Sequence, residues 1–408
     1  MMQGANRPAP FHSRIGTQTF SPLYTFTAEN ALVETARGIW EMGSDVLKMN
    51  LSPSAYGGAA ELDRLPYAEL AAREEYRTVF RMPFRHYILW VHDKGAGALN
   101  LQMDEAAEQA AYRDMYGLAR YLLTTYDRTG KVFLLGHWEG DWVLLGGYDT
   151  SREPDDGKIR GMIRSLRVRQ KAVEDARRDT PHSDVYVGHY CEVNRPLDAK
   201  DRGMKRMTTH VLPHVTVDMV SYSSYDSLLP HRLTEALDFI EQNARFTPYF
   251  DGLFGKKVFV GEYDGYHDYI KNGAQTPQQQ ADNAWAVIED AVSWGVPFVL
   301  YWEFYSNGAP GMPPEEGFWL IDRENRRQPV YYLHRDLLAK LNLYRRLCLL
   351  WRGREPYEEE VNRVIRGLRD KTEAELAREF FSAVPEGERD RCVQRLLHSR
   401  QGGDAGGD

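Results

Sequence analysis

The chain has 408 residues, a formal net charge of −8, 42% hydrophobic and 27% charged residues, an ordinary globular composition with length for one large domain and added loops. Its acidic balance offers no electrostatic footprint for nucleic acid, and no run of about 18 apolar residues is present to span a membrane. The 3 cysteines, Cys191, Cys348 and Cys392, are too widely spaced for a disulfide framework or a zinc knuckle. Met1 to Pro10 lacks the apolar core of a secretory leader, so a reducing cytoplasm is the expected setting, with secretion after leader removal as the alternative.

Strand-like and helix-like segments alternate along the chain. The first predicted strand lies near Ile15–Phe20, and the helix after it over Ala28–Met42. Predicted strand two is Asp45–Asn50, followed by a helix over about Tyr67–Phe80 and by strand three at His86–His92. Ala110–Tyr126 places Met115, Leu118 and Leu122 on one face at helical spacing. Strand four starts at Val132 and runs out at Glu139. A long basic helix is expected over Gly157–Arg178, with an apolar stripe of Ile159, Met162, Ile163, Leu166, Val173 and Ala176. Its Arg and Lys positions read as a solvated outer face balanced by Glu174, Asp175 and Asp179.

Predicted strands five and six are Val185–Tyr190 and Val217–Tyr222. A helix over Thr234–Arg245 leads to strand seven, which starts at Lys257 and carries Glu262. The helix Gln278–Trp294 stacks Ala281, Trp285, Ile288 and Val292, strand eight is Phe298–Trp302, and Tyr332–Leu349 is the last barrel helix. Repeated strand–helix units call for a parallel sheet with crossover helices. Eight of them make an α/β fold, a (β/α)8 TIM barrel over residues 12–350. An N-terminal arm (1–11) precedes the barrel, a short helical C-terminal extension (351–401) and a disordered tail (402–408) follow it, and the Gly- and Pro-rich Ser306–Trp319 reads as a rim loop.

Two acids stand where buried strands end in aromatic-rich loops: Glu139 in Gly136-His-Trp-Glu-Gly-Asp-Trp142, and Glu262 in Gly261-Glu-Tyr-Asp-Gly-Tyr266. In a barrel these strand ends form the catalytic rim, and strands four and seven face each other across its mouth. A pair of acids beside flat side chains is what cleavage of a sugar–sugar bond requires, one carboxyl protonated and the other ionised. Glu139 is the expected acid/base and Glu262 the expected nucleophile. Trp302, in the cluster Tyr301-Trp-Glu-Phe-Tyr305, is the expected sugar platform, with Trp138 and Trp142 as further aromatic contacts and Tyr263, Tyr266 and Trp319 behind them.

This layout resembles clan A of the glycoside hydrolases, the retaining (β/α)8-barrel glycosidases of the cellulase-like superfamily. The resemblance covers residues 12–350 and implies an acid/base at Glu139 and a nucleophile at Glu262. It further implies a tyrosine on the nucleophile, matched best by Tyr225 and second by Tyr222 in Ser221-Tyr-Ser-Ser-Tyr225, and a platform at Trp302. The chain departs from the clan pattern in three places. Trp138, preceded by His137, stands where the clan has the Asn that holds the sugar 2-hydroxyl; Lys48 stands where cellulase-like members have an Arg; and Ser223 replaces a His. His137 and Lys48 are therefore the expected substitutes in substrate binding.

Other acids compete for these roles: Glu192, Glu303, Asp141 and Asp264, which read as sugar-hydroxyl binders or as groups that set the pKa of neighbours. His92, His137 and His189 raise a metal-dependent barrel hydrolase as an alternative, against which strand one reads Thr17-Gln-Thr19 without a His-x-His pair. Cys191 reads as a buried thiol. No Gly-rich phosphate loop opens a helix, so neither a metal nor an organic cofactor is expected. The expected function is retaining hydrolysis of a β-linked glycoside, with an oligosaccharide or glycoside as partner. A non-catalytic carbohydrate-binding protein on the same scaffold is the alternative from another class. No motif specifies the sugar, the linkage or the oligomeric state.

Overall fold

The strands are short because each crosses only the height of a barrel, and they are buried on both faces because helices cover the outside. The structure, a computed structural model, describes residues 14–94, 98–228, 231–265, 276–308, 319–382, 385 and 387–388. Eight strands close in sequence order into a parallel barrel: β1 (Ile15–Thr19), β2 (Val46–Asn50), β3 (His86–Trp90), β4 (Lys131–Gly136), β5 (Val185–Val193), β6 (Met219–Ser223), β7 (Val258–Tyr263) and β8 (Val299–Tyr301). Closure is made by β8 pairing back onto β1, with Ile15 opposite Val299. The expected (β/α)8 fold is the observed one.

Side chains alternate along each strand. Val46, Ile88, Leu134, Tyr190, Met219, Phe259 and Leu300 fill the barrel interior. Leu47, Leu89, Leu135, Val220 and Val260 face the helices in a second, larger core. Glycine makes room inside the barrel, at Gly136 and Gly261 among other positions. A Cβ on Gly136 would sit 2.2 Å from the Tyr190 ring, and one on Gly261 would sit 1.9 Å from Ser221 Oγ.

Three of the outer helices start at capping side chains: Asn30 accepts from Leu32 N ahead of Ala31–Glu41, Asp104 from Ala107 N ahead of Glu105–Thr125, and Asp155 from Lys158 N ahead of Asp156–Asp179. The helix expected over Tyr67–Phe80 is two pieces, Tyr67–Ala71 and Glu74–Arg81, because Arg73 turns extended (φ −67°, ψ 153°). The break lets Tyr67 and Leu70 on one piece, and Tyr76, Val79 and Phe80 on the other, all reach the core. β5 runs on to Val193 and so carries Glu192 within the strand rather than after it. A short helix, Gly140–Leu145, follows Glu139 directly.

The reading of Asp156–Asp179 as a helix with a purely solvated basic face is corrected. Asp175 does take Lys171 and Arg178 at the surface. Arg169, however, is fully buried; it pairs with Asp93 at 2.9 Å and donates to the carbonyls of Val91 and Gly136. Arg177 likewise turns inward to Asp218 at 2.8 Å. Both use the guanidinium's several donors to satisfy carbonyls and a carboxylate together.

Past the last barrel helix, Pro329–Arg352, two helices (Glu358–Ile365 and Glu373–Phe380) lie against the barrel's outer layer. Val361, Ile365, Leu368, Leu376 and Phe381 join its hydrophobic core. Lys340 ties the segment down through the carbonyls of Leu368 and Arg369, each at 3.0 Å. Among the described residues no helix is long and apolar enough to cross a membrane. The arm 1–11, Tyr266, Cys392, residues 309–318 of the rim loop and the tail 402–408 lie outside the described residues.

Candidate active site

Both acids stand at the C-terminal rim of the barrel. Glu139 follows β4 and opens the helix Gly140–Leu145. Glu262 comes from β7, where regular alternation would turn it away. Phe259 and the Gly261 position face the interior and Val260 the helices. An irregularity in the β6–β7 register between Tyr222 and Ser223 pairs Ser223 with Glu262 and swings the acid inward. A bulge at a barrel rim re-aims a side chain in this way.

One hydroxyl joins the pair. Ser223 Oγ lies 2.5 Å from Glu139 Oε1 and 3.2 Å from Glu262 Oε2. A serine has a single proton to donate, so the bridge is complete when one carboxyl is ionised and the other carries its own proton. Tyr225 donates its hydroxyl to Glu262 Oε2 at 3.4 Å. The acids are nearly sealed from solvent, Glu139 at 7% exposure and Glu262 at 3%.

Beneath them lies a buried ion network. Lys48 Nζ donates to Glu262 Oε1 and Glu192 Oε2, each at 3.0 Å, and to the Gly261 carbonyl at 3.1 Å. Ser221 Oγ donates to Glu192 Oε2 at 2.7 Å, and the Glu139 N–H to Glu192 Oε1 at 3.0 Å. Glu192 thereby links the lysine that holds Glu262 to the backbone that carries Glu139. Burial would lower the Lys48 ammonium, but the facing carboxylates of Glu192 and Glu262 outweigh it and hold the group above its usual value.

The two acids are set apart electrostatically. Burial, followed by the charge of Glu262, pushes Glu139 well above the usual carboxylate range. Burial also raises Glu262, to about 7, with Lys48 opposing the rise. Lys48 bonds Glu262 and not Glu139, so Glu262 is the easier of the two to ionise.

The rim aromatics form two groups. The Trp302 ring stacks on Phe20 at 5.4 Å and lies 6.1 Å from Trp90; the Trp302–Glu303 peptide is cis. Trp138 and Trp142 meet Tyr148 edge-on at 6.3 and 5.4 Å. Phe20, Trp90 and Tyr148 escaped the sequence reading. The signal for Trp90 was present, since alternation from His86 and Ile88 points it inward with them.

Three expected binding residues stand elsewhere. Lys48 is sealed beneath Glu262 and has no exposed surface, because a buried lysine must take carboxylates. His137 is fully buried, with Nδ1 against the Trp138 carbonyl and Nε2 accepting the Glu192 N–H; burial pushes it down to about 3, so it is a neutral ring that supports the loop. Tyr222 lies one residue out of phase with Ser221 and Ser223, so it faces the helix layer and donates to Asp226.

Of the rival acids, Asp141 is committed to the backbone N–H groups of Asn194, Arg195 and Met207. Glu303 is buried, accepts the Asn307 N–H at 2.8 Å and is raised well above the usual range by burial. Asp264 is also buried. Cys191 and Cys348 are buried free thiols. His189 is sealed, with Nδ1 against Gln170. Among the described residues no group of three or more His, Cys, Asp or Glu is arranged to hold a metal ion.

No protein-family profile matches the chain, and no curated protein matches it by sequence. Solved structures do match. The GH5_18 protein from Streptomyces cattleya, in complex with GlcNAc, aligns with TM-score 0.52 and 14% identity over 94% of this chain and 92% of its own. The exo-beta-1,4-mannosidase Op5Man5 from Opitutaceae bacterium strain TAV5 aligns with TM-score 0.50 and 14% identity over 83% of this chain, which spans 62% of the mannosidase. The closed eight-stranded barrel is the fold this chain shares with these two proteins. Identity at this level carries the architecture alone; the roles of individual residues rest on the geometry above.

Proposed function

We propose that this protein is a retaining glycoside hydrolase acting on β-linked glycosides of an oligosaccharide class. Glu262 attacks the anomeric carbon as the glycosidic C–O bond breaks, forming a glycosyl ester. Glu139 gives its proton to the departing oxygen. Water then enters and returns a proton to Glu139 while its oxygen displaces Glu262 from the anomeric carbon.

The Ser223 bridge carries this reading. The two oxygens it joins stand no farther apart than contacts of 2.5 and 3.2 Å together allow. That fits the roughly 5–5.5 Å of retaining enzymes and falls short of the roughly 6.5–9.5 Å that leaves room for an inverting water. The role split follows the charges. Lys48 and Tyr225 favour an ionised Glu262, and burial beside that charge keeps Glu139 protonated. Trp302, on Phe20 and beside Trp90, offers the flat face for the sugar being attacked.

The decisive experiment uses a panel of aryl β-glycosides. The wild type is expected to release a sugar whose first-formed anomer, read by proton NMR, is β, and Glu262→Gln is expected to abolish turnover. An α anomer as first product overturns retention. Turnover surviving in Glu262→Gln removes Glu262 from the chemistry. If no glycoside is turned over while oligosaccharides still bind, the non-catalytic carbohydrate-binding reading, which Trp138 in place of the clan's Asn favours, replaces this one. A reducing cytoplasm is the expected setting, consistent with the free buried thiols of Cys191 and Cys348.

A further inference from the structure

An open cleft of about 930 Å³ is lined in part by Trp138, the residue before Glu139. Its lining includes the rings of Trp138, Trp142 and Tyr148 and the side chains of Leu99, Asn100 and Gln102. Tyr148 is 66% exposed although it is a large aromatic ring packed edge-on against two tryptophans.

The charged groups around the cleft are already committed. Lys94 pairs with Asp114, Lys158 Nζ donates to the Leu145 carbonyl at 3.3 Å, and the Asp155 carboxylate caps the helix Asp156–Asp179 through the Lys158 N–H at 2.9 Å. Between these groups the lining offers aromatic rings, the aliphatic side chains of Leu99, Leu101 and Val143, and the amides of Asn100 and Gln102, which suits the apolar faces and hydroxyls of uncharged sugars. The cleft is also large: its volume lies at the upper end of the roughly 300–1,000 Å³ typical of small-molecule sites, so a single monosaccharide would leave much of it empty.

We infer that this cleft is a leaving-group subsite that holds two or more units of a neutral β-linked oligosaccharide, with Trp142 and Tyr148 as its stacking platform. The inference rests on the hydrolase reading for its orientation: the departing oxygen is the one Glu139 protonates, and Trp138, the residue next to Glu139, is part of the cleft's lining. The Trp302, Phe20 and Trp90 group is a separate platform and remains for the sugar under attack. The substrate is therefore an oligosaccharide extended on the leaving side, and a short aglycone uses only part of the available binding.

The test compares 4-nitrophenyl β-glycosides with cellotetraose and β-1,4-mannotetraose on the full chain. Tyr148→Ala and Trp142→Ala are expected to lower kcat/KM on the tetrasaccharide about tenfold more than on the aryl glycoside, the scale of one lost aromatic anchor. Tyr148→Phe keeps the ring and is expected to restore the preference, which a merely misfolded variant would not. Equal losses on both substrates, or none on either, overturn the subsite. Calorimetric titration of the tetrasaccharides into Glu262→Gln separates this claim from the one beneath it. If the wild type hydrolyses nothing but Tyr148→Ala weakens tetrasaccharide binding, the subsite stands and the hydrolase reading falls. Binding that is absent, or indifferent to Tyr148, ends the subsite.

Discussion

Lys48 lies within 3.0 Å of one oxygen each of Glu192 and Glu262, with no surface exposed to water. Its ring neighbours add little charge compensation beyond the face of Trp90, 4.6 Å away. Two carboxylates therefore depend on one ammonium. As the proposed nucleophile Glu262 works ionised, so kcat/KM is expected to climb as pH rises through its raised value of about 7. As the proposed acid Glu139 works protonated, so the rate is expected to fall again at higher pH as that carboxyl ionises. The two limbs belong to the coupled pair and not to separate residues. Lys48→Met removes the group that opposes the rise of Glu262, so the acidic limb should move to higher pH and kcat should drop about a hundredfold, the scale of one lost preorganised charge. A pH–rate profile checks this; an acidic limb that stays in place would show that Lys48 does not tune Glu262. A lysine amid the apolar residues of Val46–Asn50 already signalled a buried partner. Which carboxylates it meets was not readable, since Glu192 and Glu262 arrive from β5 and β7.

Elements carry the acids by register. In β6, Met219 and Ser221 alternate with Val220 and Tyr222, so period-two reading alone would have turned Tyr222 away from the pocket. In β7 the same rule would have turned Glu262 away, and the shift between Tyr222 and Ser223 reverses it. A bulge of this kind depends on pairing across two strands and leaves no local mark in either. The helix Asp156–Asp179 acts at the same scale through Arg169, which clasps Asp93 and the strand-end carbonyls of Val91 and Gly136. Arg169→Met leaves Asp93 charged and buried, so stability should fall by about 3–5 kcal/mol. Denaturant unfolding measures this, and a loss below about 1 kcal/mol would mean that water or relaxation replaces the arginine.

Across the whole molecule, the segment after Gly353 is stitched to the barrel rather than appended to it. Val361, Ile365, Leu368, Leu376 and Phe381 are buried in the core outside the strands, and Arg14, at the start of β1, pairs with Glu358 at 3.5 Å. Truncation after Gly353 would expose that apolar face and leave Arg14 buried without its carboxylate. The shortened chain is expected to aggregate or to lose its cooperative thermal transition. A monodisperse truncated protein that melts at the full-length temperature would show that the barrel stands without these helices.

The alternation of apolar strands and amphipathic helices was enough to specify eight parallel strands and the rim on which Glu139 lies, because both periods are written in neighbouring residues. Chemistry confined to one residue type was legible too: an acid at a strand end or a tryptophan in an aromatic cluster announces itself. Contacts between distant segments were not. The Ser223 bridge, the Lys48–Glu192 network and the inward turn of Glu262 join residues from different strands, and their partners follow from barrel closure and register. Local sequence carries periodicity, whereas pairing across the barrel is set by packing that the whole chain must satisfy at once.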